Sequence, residues 1–196
     1  MRTRAYTKGV LEAEDFPLSE LSEHLARPDT HVWVDLHRPD EDALHTLASE
    51  LGLHPLAVED ALESHQRSKI DVYTTHAFMA AYAVTLDVEA PALATVEVDA
   101  FIGQTWLVTV RADERFDMEP VIERWDRSPE MIAAGVGFLV HGLLDVIVDG
   151  YFSAIEHFDE YYDGISDAIF SDRPLGPDQQ RAWFDMRRIL SKFYRL

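Results

Sequence analysis

The sequence predicts an α/β chain whose β-rich first part, interleaved with short helices, gives way to a helical hairpin. Three patterns carry this. Residues 94 to 102 alternate, with Val96, Val98, Ala100 and Ile102 on one side and Glu97 and Asp99 on the other, the period of a strand. Leu44, Leu47, Ala48 and Leu51 recur at i, i+3, i+4 and i+7, the period of a helix. Val148, Tyr151, Ile155, Phe158, Tyr162, Ile165 and Ile169 recur at alternating steps of three and four, a heptad seam that asks for a partner helix.

Taken in order, residues 10 to 15 have weak strand character, and Pro17 opens a short helix with Leu18, Leu21 and Leu25 on one stripe. A β-rich run follows from His31 to Leu36. Pro39, Asp40, Glu41 and Asp42 start a helix, because proline suits its first turn and acids suit its positive end; Gly52 can close it. A second helix runs from Pro55 to about Ser64. Ala77 to Leu86, Ala94 to Ile102 and Thr105 to Arg111 read as an antiparallel meander, with Gly103-Gln104 as a two-residue turn. A helix from about Met118 to Arg127 turns Val121, Ile122 and Trp125 inward. One long helix is expected from about Met131. Pro and Gly in the run Asp172 to Pro177 end it, and Asp178 caps a second helix on which Trp183, Met186, Leu190 and Phe193 form the facing stripe.

Composition narrows the function. The chain has 196 residues, 47% of them hydrophobic, enough for a real core. Its formal net charge of −19 opposes nucleic-acid binding, which needs a basic footprint, and suits either solubility or a cationic partner. No cysteine is present, so disulfides and thiolate metal sites are excluded. The N-terminus has no apolar signal region. The longest apolar run, Met131 to Leu144, is interrupted by His141 and is too short to span a membrane, so it reads as a buried helix in a soluble chain.

No phosphate-binding loop, His-Glu-x-x-His or nucleophile elbow occurs, and the histidines are scattered, so the chain is not expected to be an enzyme. Carboxylates remain. Glu59 and Asp60 sit together on the helix after Pro55. Asp145 and Asp149 lie one turn apart in an apolar stretch, where an acid is costly unless it meets a partner or a cation. Glu156, Asp159, Glu160, Asp163 and Asp167 read as a solvated acidic face. Oxygen ligands alone select hard ions such as Mg²⁺ or Ca²⁺.

Two stretches carry a resemblance. Leu53-His-Pro-Leu-Ala-Val-Glu-Asp60 with His65-Gln-Arg-Ser-Lys-Ile-Asp71, and Leu143-Leu-Asp-Val-Ile-Val-Asp149 with Tyr151-Phe152, resemble the cytoplasmic domain of CorA-type magnesium channels, with Ser68 where that family usually has proline. The strands at Trp33–Leu36 and Trp106–Arg111 occur in matching order. The resemblance implies a mixed sheet sandwiched between helical layers, then the long-helix hairpin and a stalk helix. It divides the chain into an α/β domain over 1–130, a long acidic helix packed on it over 131–172, and the start of a truncated stalk over 178–196.

The resemblance also implies a divalent-cation-sensing role at the cytoplasmic face of the cell membrane. Membrane attachment would come only through C-terminal segments missing here, and assembly would be as a homo-oligomer, pentameric in the full-length parent. Mg²⁺ is the implied regulatory ion, with Co²⁺ or Zn²⁺ as the alternative. Glu59, Asp60 and Asp145 carry over as metal ligands, and Asp149 joins them from its spacing. The Gly-Met-Asn pore motif is not found, and the sequence has no asparagine at all. The basic last helix, with Arg181, Arg187, Arg188, Lys192 and Arg195, either complements its own dipole or is a helix cut in mid-course. A zinc or cobalt transporter domain of the same superfamily is the nearest competing reading, and a stand-alone interaction module using its heptad hairpin is another.

Overall fold

A computed structural model describes residues 1–63, 67–87, 92–170 and 176–196. Its strands are β1 (Arg2–Thr7), β2 (Val10–Glu14), β3 (Thr30–His37), β4 (Lys69–Val72), β5 (Ala77–Asp87), β6 (Ala92–Ile102) and β7 (Trp106–Arg111). The helices are α1 (Leu21–Leu25), α2 (Glu41–Leu51), α3 (Pro55–Leu62), α4 (Glu119–Asp126), α5 (Pro129–Ala133), α6 (Val136–Phe170) and α7 (Pro177–Phe193). The strands form one mixed sheet in the order β2-β1-β3-β7-β6-β5-β4.

The centre of the sheet is set by β3 and β7, which run parallel with Val32 opposite Trp106 and Leu36 opposite Val110. Both are buried almost throughout, as expected for strands covered on both faces. Alternation along β3 divides the core. Val32, Val34 and Leu36 pack with Leu44, Leu47, Ala57 and Val58 of α2 and α3. Trp33 points the other way, edge-on to Trp125 of α4, and donates its indole N–H to Thr109 at 3.1 Å. Trp125 in turn donates to the Leu139 carbonyl of α6 at 3.1 Å. Helix α6 can come that close because residue 142 is glycine: a Cβ there would stand 2.5 Å from the Trp125 indole nitrogen.

Local chemistry explains the helix ends near the candidate site. Asp40 caps α2 by accepting from the Ala43 amide at 2.7 Å, and Gly52 closes it in the left-handed conformation with φ of 65°. His54 precedes α3 and Pro55 occupies its first turn. Within the sheet, Asp35 and Arg111 form a buried charge-paired fork, with Arg111 also donating to the Phe116 carbonyl at 2.6 Å.

The chain divides into two compact units. One comprises Met1–Tyr82 with Val96–Val146, the other Ala83–Thr95 with Ile147–Leu196. The second has its own core of Val84, Leu86, Leu93, Ala154, Phe158, Met186 and Ile189. Phe193 of α7 meets both Tyr151 and Phe158 of α6 at 5.5 Å between ring centroids.

Four expectations need correction. The helix expected from Met131 is two helices, because Gly135 adopts φ of 131° between α5 and α6. The run 131 to 144 is not buried all round: Met131 is exposed, and only Ile132, Val136, Leu139 and Leu143 form an inner stripe. The heptad seam holds at Tyr151, Phe158 and Tyr162 but not at Val148 and Ile155, which are exposed while Ile147 and Ala154 are buried. In the hairpin after β6, the Gly103 amide bonds to the Trp106 carbonyl at 2.9 Å, so Gln104 and Thr105 form the turn. Strands β1 and β4 have no counterpart in the sequence reading. The motif residues Ser64 to Gln66 and the breaker residues Asp172 to Leu175 lie outside the described residues, as does the Ile169 side chain.

Candidate cation site

Helix α3 and edge strand β4 bring four carboxylates and one ammonium to a shared groove of about 520 Å³. Glu59 is exposed on α3, Asp60 is half-buried one residue on, Glu63 follows the helix end, and Asp71 comes from β4. Lys69 joins the two elements. Its Nζ lies 2.6 Å from Asp60 Oδ2 and 3.1 Å from Asp71 Oδ2. Hydrogen bonds to Asp60 and then Asp71 raise the Lys69 pKa above its ordinary value, so the ammonium stays charged. Leu56 on α3 and Val72 on β4 are exposed at this groove, Val72 with 82% of its surface accessible.

Asp145 lies on α6 in the first unit and is ion-paired with Arg124 of α4. Asp149 is exposed on the part of α6 that belongs to the second unit. Glu156, Asp159, Glu160, Asp163 and Asp167 are all exposed, as a solvated face requires. The structure therefore brings Glu59 and Asp60 together and holds Asp145 elsewhere on a different cation. Among the described residues, no three His, Asp or Glu side chains are grouped closely enough to hold a metal. The counter-ions Lys69 and Arg124 were not assigned a role from sequence, although Lys69 stands within the motif that singled out Asp60.

The face of β6 opposite its valines is not solvated. Asp99 is only 5% exposed, because it shares a row with buried Phe101 on the side covered by α3. Burial, then the charges of Glu97 and Asp60, push its carboxyl up to about 8, with Lys69 acting in the opposite sense. Tyr82 is pushed up to about 12 by burial and by Glu97 beside it. The one sequence signal was the continuation of the polar row into Phe101. Helix α6 is also long and apolar enough over Val136–Ala168 to cross a membrane by length and composition.

The mixed seven-stranded sheet layered with helices matches the fold of solved structures. The soluble domain of CorA from Methanocaldococcus jannaschii superposes with a TM-score of 0.67 at 16% identity, covering 94% of this chain and 70% of that one. The full-length CmaX protein gives a TM-score of 0.74 at 16% identity, covering 96% of this chain and 57% of that one. The sequence is decisive for the family: residues 28–196 match the CorA-like Mg2+ transporter protein family, and the chain belongs to it. It is 30% identical over 147 residues to the Bacillus subtilis protein YfjQ, covering 74% of this chain and 45% of that protein. It is 25% identical over 183 residues to the cobalt/magnesium transport protein CorA of Thermotoga maritima, covering 85% of this chain and 51% of that protein. The chain thus spans about half the length of the curated relatives it matches.

Proposed function

We propose that this chain is the cytoplasmic, divalent-cation-sensing domain of a magnesium transporter that works as a homo-oligomer. The observation that carries the proposal is the α3–β4 groove, where Asp60 and Asp71 share one lysine and Glu59 and Glu63 line the same opening. The groove is open, so its acids can meet ligands from a neighbouring copy. Asp60 and Glu59 supply the first carboxylates, Asp145 and Asp149 supply others at the subunit boundary, and a Mg²⁺ ion replaces the Lys69 ammonium on Asp60. Mg²⁺ keeps several waters and needs only one or two carboxylates from each side, which suits a groove without three preformed ligands.

Regulation then follows from charge. With Mg²⁺ bound, repulsion between strongly acidic subunits is screened and the closed assembly is favoured. Loss of Mg²⁺ restores the repulsion and loosens it. Sedimentation velocity and thermal melting of the purified chain test this, first with EDTA and then with millimolar-range Mg²⁺ at matched ionic strength. A rise in mass or melting temperature that Asp60→Asn abolishes is the expected result. An identical Mg²⁺ response in wild type and Asp60→Asn, or no response in wild type, removes the assignment.

A further inference from the structure

A second, smaller cavity of about 110 Å³ lies where the end of α3 covers β6 and β7. Glu63, Glu97 and Asp99 line it, with Arg38 and Arg111. That volume holds several waters. Asp99 is the unusual member. It is 5% exposed, and its Oδ1 is fully inaccessible and accepts no hydrogen bond. A carboxylate buried in this way is strongly unfavourable unless its charge is neutralised.

Among the described residues, no neighbouring cation donates to that oxygen. Arg111 is committed to Asp35 and the Phe116 carbonyl. Arg38 donates its Nε to the Ala112 carbonyl at 2.9 Å. Lys69 is held by Asp60 and Asp71. Tyr82 fixes Glu97 by a hydrogen bond and keeps that carboxylate beside the cavity.

We propose that Glu97 and Asp99, with Glu63 across the cavity, bind one hydrated divalent cation of the Mg²⁺ type within a single copy of the chain. Glu97 and Asp99 supply the direct carboxylates, Glu63 acts through water, and water completes the shell, as suits an ion that keeps much of its hydration. Glu63 borders both this cavity and the Asp60 groove, but the cavity needs no neighbouring subunit, and Asp60→Asn, which leaves Glu63, Glu97 and Asp99 in place, tells the two assignments apart.

The test uses Mn²⁺ as a spectroscopic probe on the purified chain, counting free Mn²⁺ by electron paramagnetic resonance with Mg²⁺ as competitor. Wild type and Asp60→Asn retain one Mg²⁺-displaceable ion in this class, whereas Asp99→Asn and Glu97→Gln weaken it at least about tenfold. Paramagnetic broadening in wild type provides a readout that depends on no variant, and it is expected at the amides of residues 97–99 and 110–112. Unchanged Mn²⁺ affinity in a folded Asp99→Asn protein, or broadening confined to residues around Asp60, overturns the proposal.

Discussion

Replacing Asp99 by asparagine should abolish a pH dependence of stability that wild type carries. The Asp99 carboxyl titrates at about 8 in the folded chain against an ordinary value of 3.8, because it is buried beside Glu97. Between those values the folded protein holds a proton that the unfolded chain has released. The contribution is fully present below the unfolded pKa, declines as pH rises through the window, and is lost above about 8. Inside the window the slope approaches about 1.4 kcal/mol per pH unit. Integrated across it, the effect has a ceiling on the order of 5 kcal/mol. The assay is urea unfolding followed by circular dichroism, in EDTA, from mildly acidic to mildly alkaline pH. Asp99→Asn should match wild type at the acidic end and exceed it increasingly toward the alkaline end. Parallel stability curves for the two proteins would refute the reasoning, because the carboxyl would then have found a charge-stabilising partner.

Asp35→Ala leaves the Arg111 guanidinium buried without its carboxylate and should cost about 3–5 kcal/mol, seen as a large fall in the denaturation midpoint. Gly142→Ala places a methyl carbon 2.5 Å from the Trp125 indole nitrogen and should destabilise by about 1–3 kcal/mol, with a changed tryptophan emission reporting the displaced ring. Lys69→Met removes the ammonium between Asp60 and Asp71; the variant should lose about 1 kcal/mol in EDTA and recover it in Mg²⁺, which calorimetric melting in the two buffers checks.

The legible parts of the fold were those that a one-dimensional period reports. Helices α2 and α4 announce themselves because each buries one face at a regular repeat, and β5 to β7 because they are apolar runs bounded by breakers, although β6 and β7 are covered on both faces. Strand β1 did not, since Arg4 and Thr3 are buried in it: Arg4 is held by Asp126 at 2.9 Å and by Glu14 at 3.2 Å, and those partners are remote in sequence or on another strand. Strand β4 is too short, and its Ile70 and Val72 face outward at the sheet edge. The site shows the same division. Glu59 and Asp60 were visible as a motif, but their relation to Asp71 through Lys69 required the sheet order. Asp99 was legible only as lying on the side opposite the valines, because alternation specifies which residues share a face, not what covers that face. The heptad seam slipped at Val148 and Ile155 for a related reason: a pattern of large apolar residues gives no weight to Ala154, yet its small size lets it sit at the contact.

The ion pairs themselves separate structural acids from candidate sensing acids. Asp35 is almost wholly enclosed with Arg111, and removing the cation there would strand a charge in the core. Asp60 and Asp145 each meet their cation at a partly exposed position, with 22% and 44% of their side chains accessible. Pairs of that kind are worth only about 0–1 kcal/mol, since solvent and salt screen them. A divalent ion that displaces Lys69 from Asp60 therefore gives up little, and the released ammonium can return to water on its flexible stem. The same exchange at Asp35 would face the full desolvation cost. Low-cost exchange also limits how tightly the ion is held, because the ion must compete with a lysine tethered at the site. An acid groove guarded by its own lysine therefore suits a sensor of an abundant ion better than a permanent structural metal, and in the proposed reading Lys69 sets the Mg²⁺ concentration at which the domain responds.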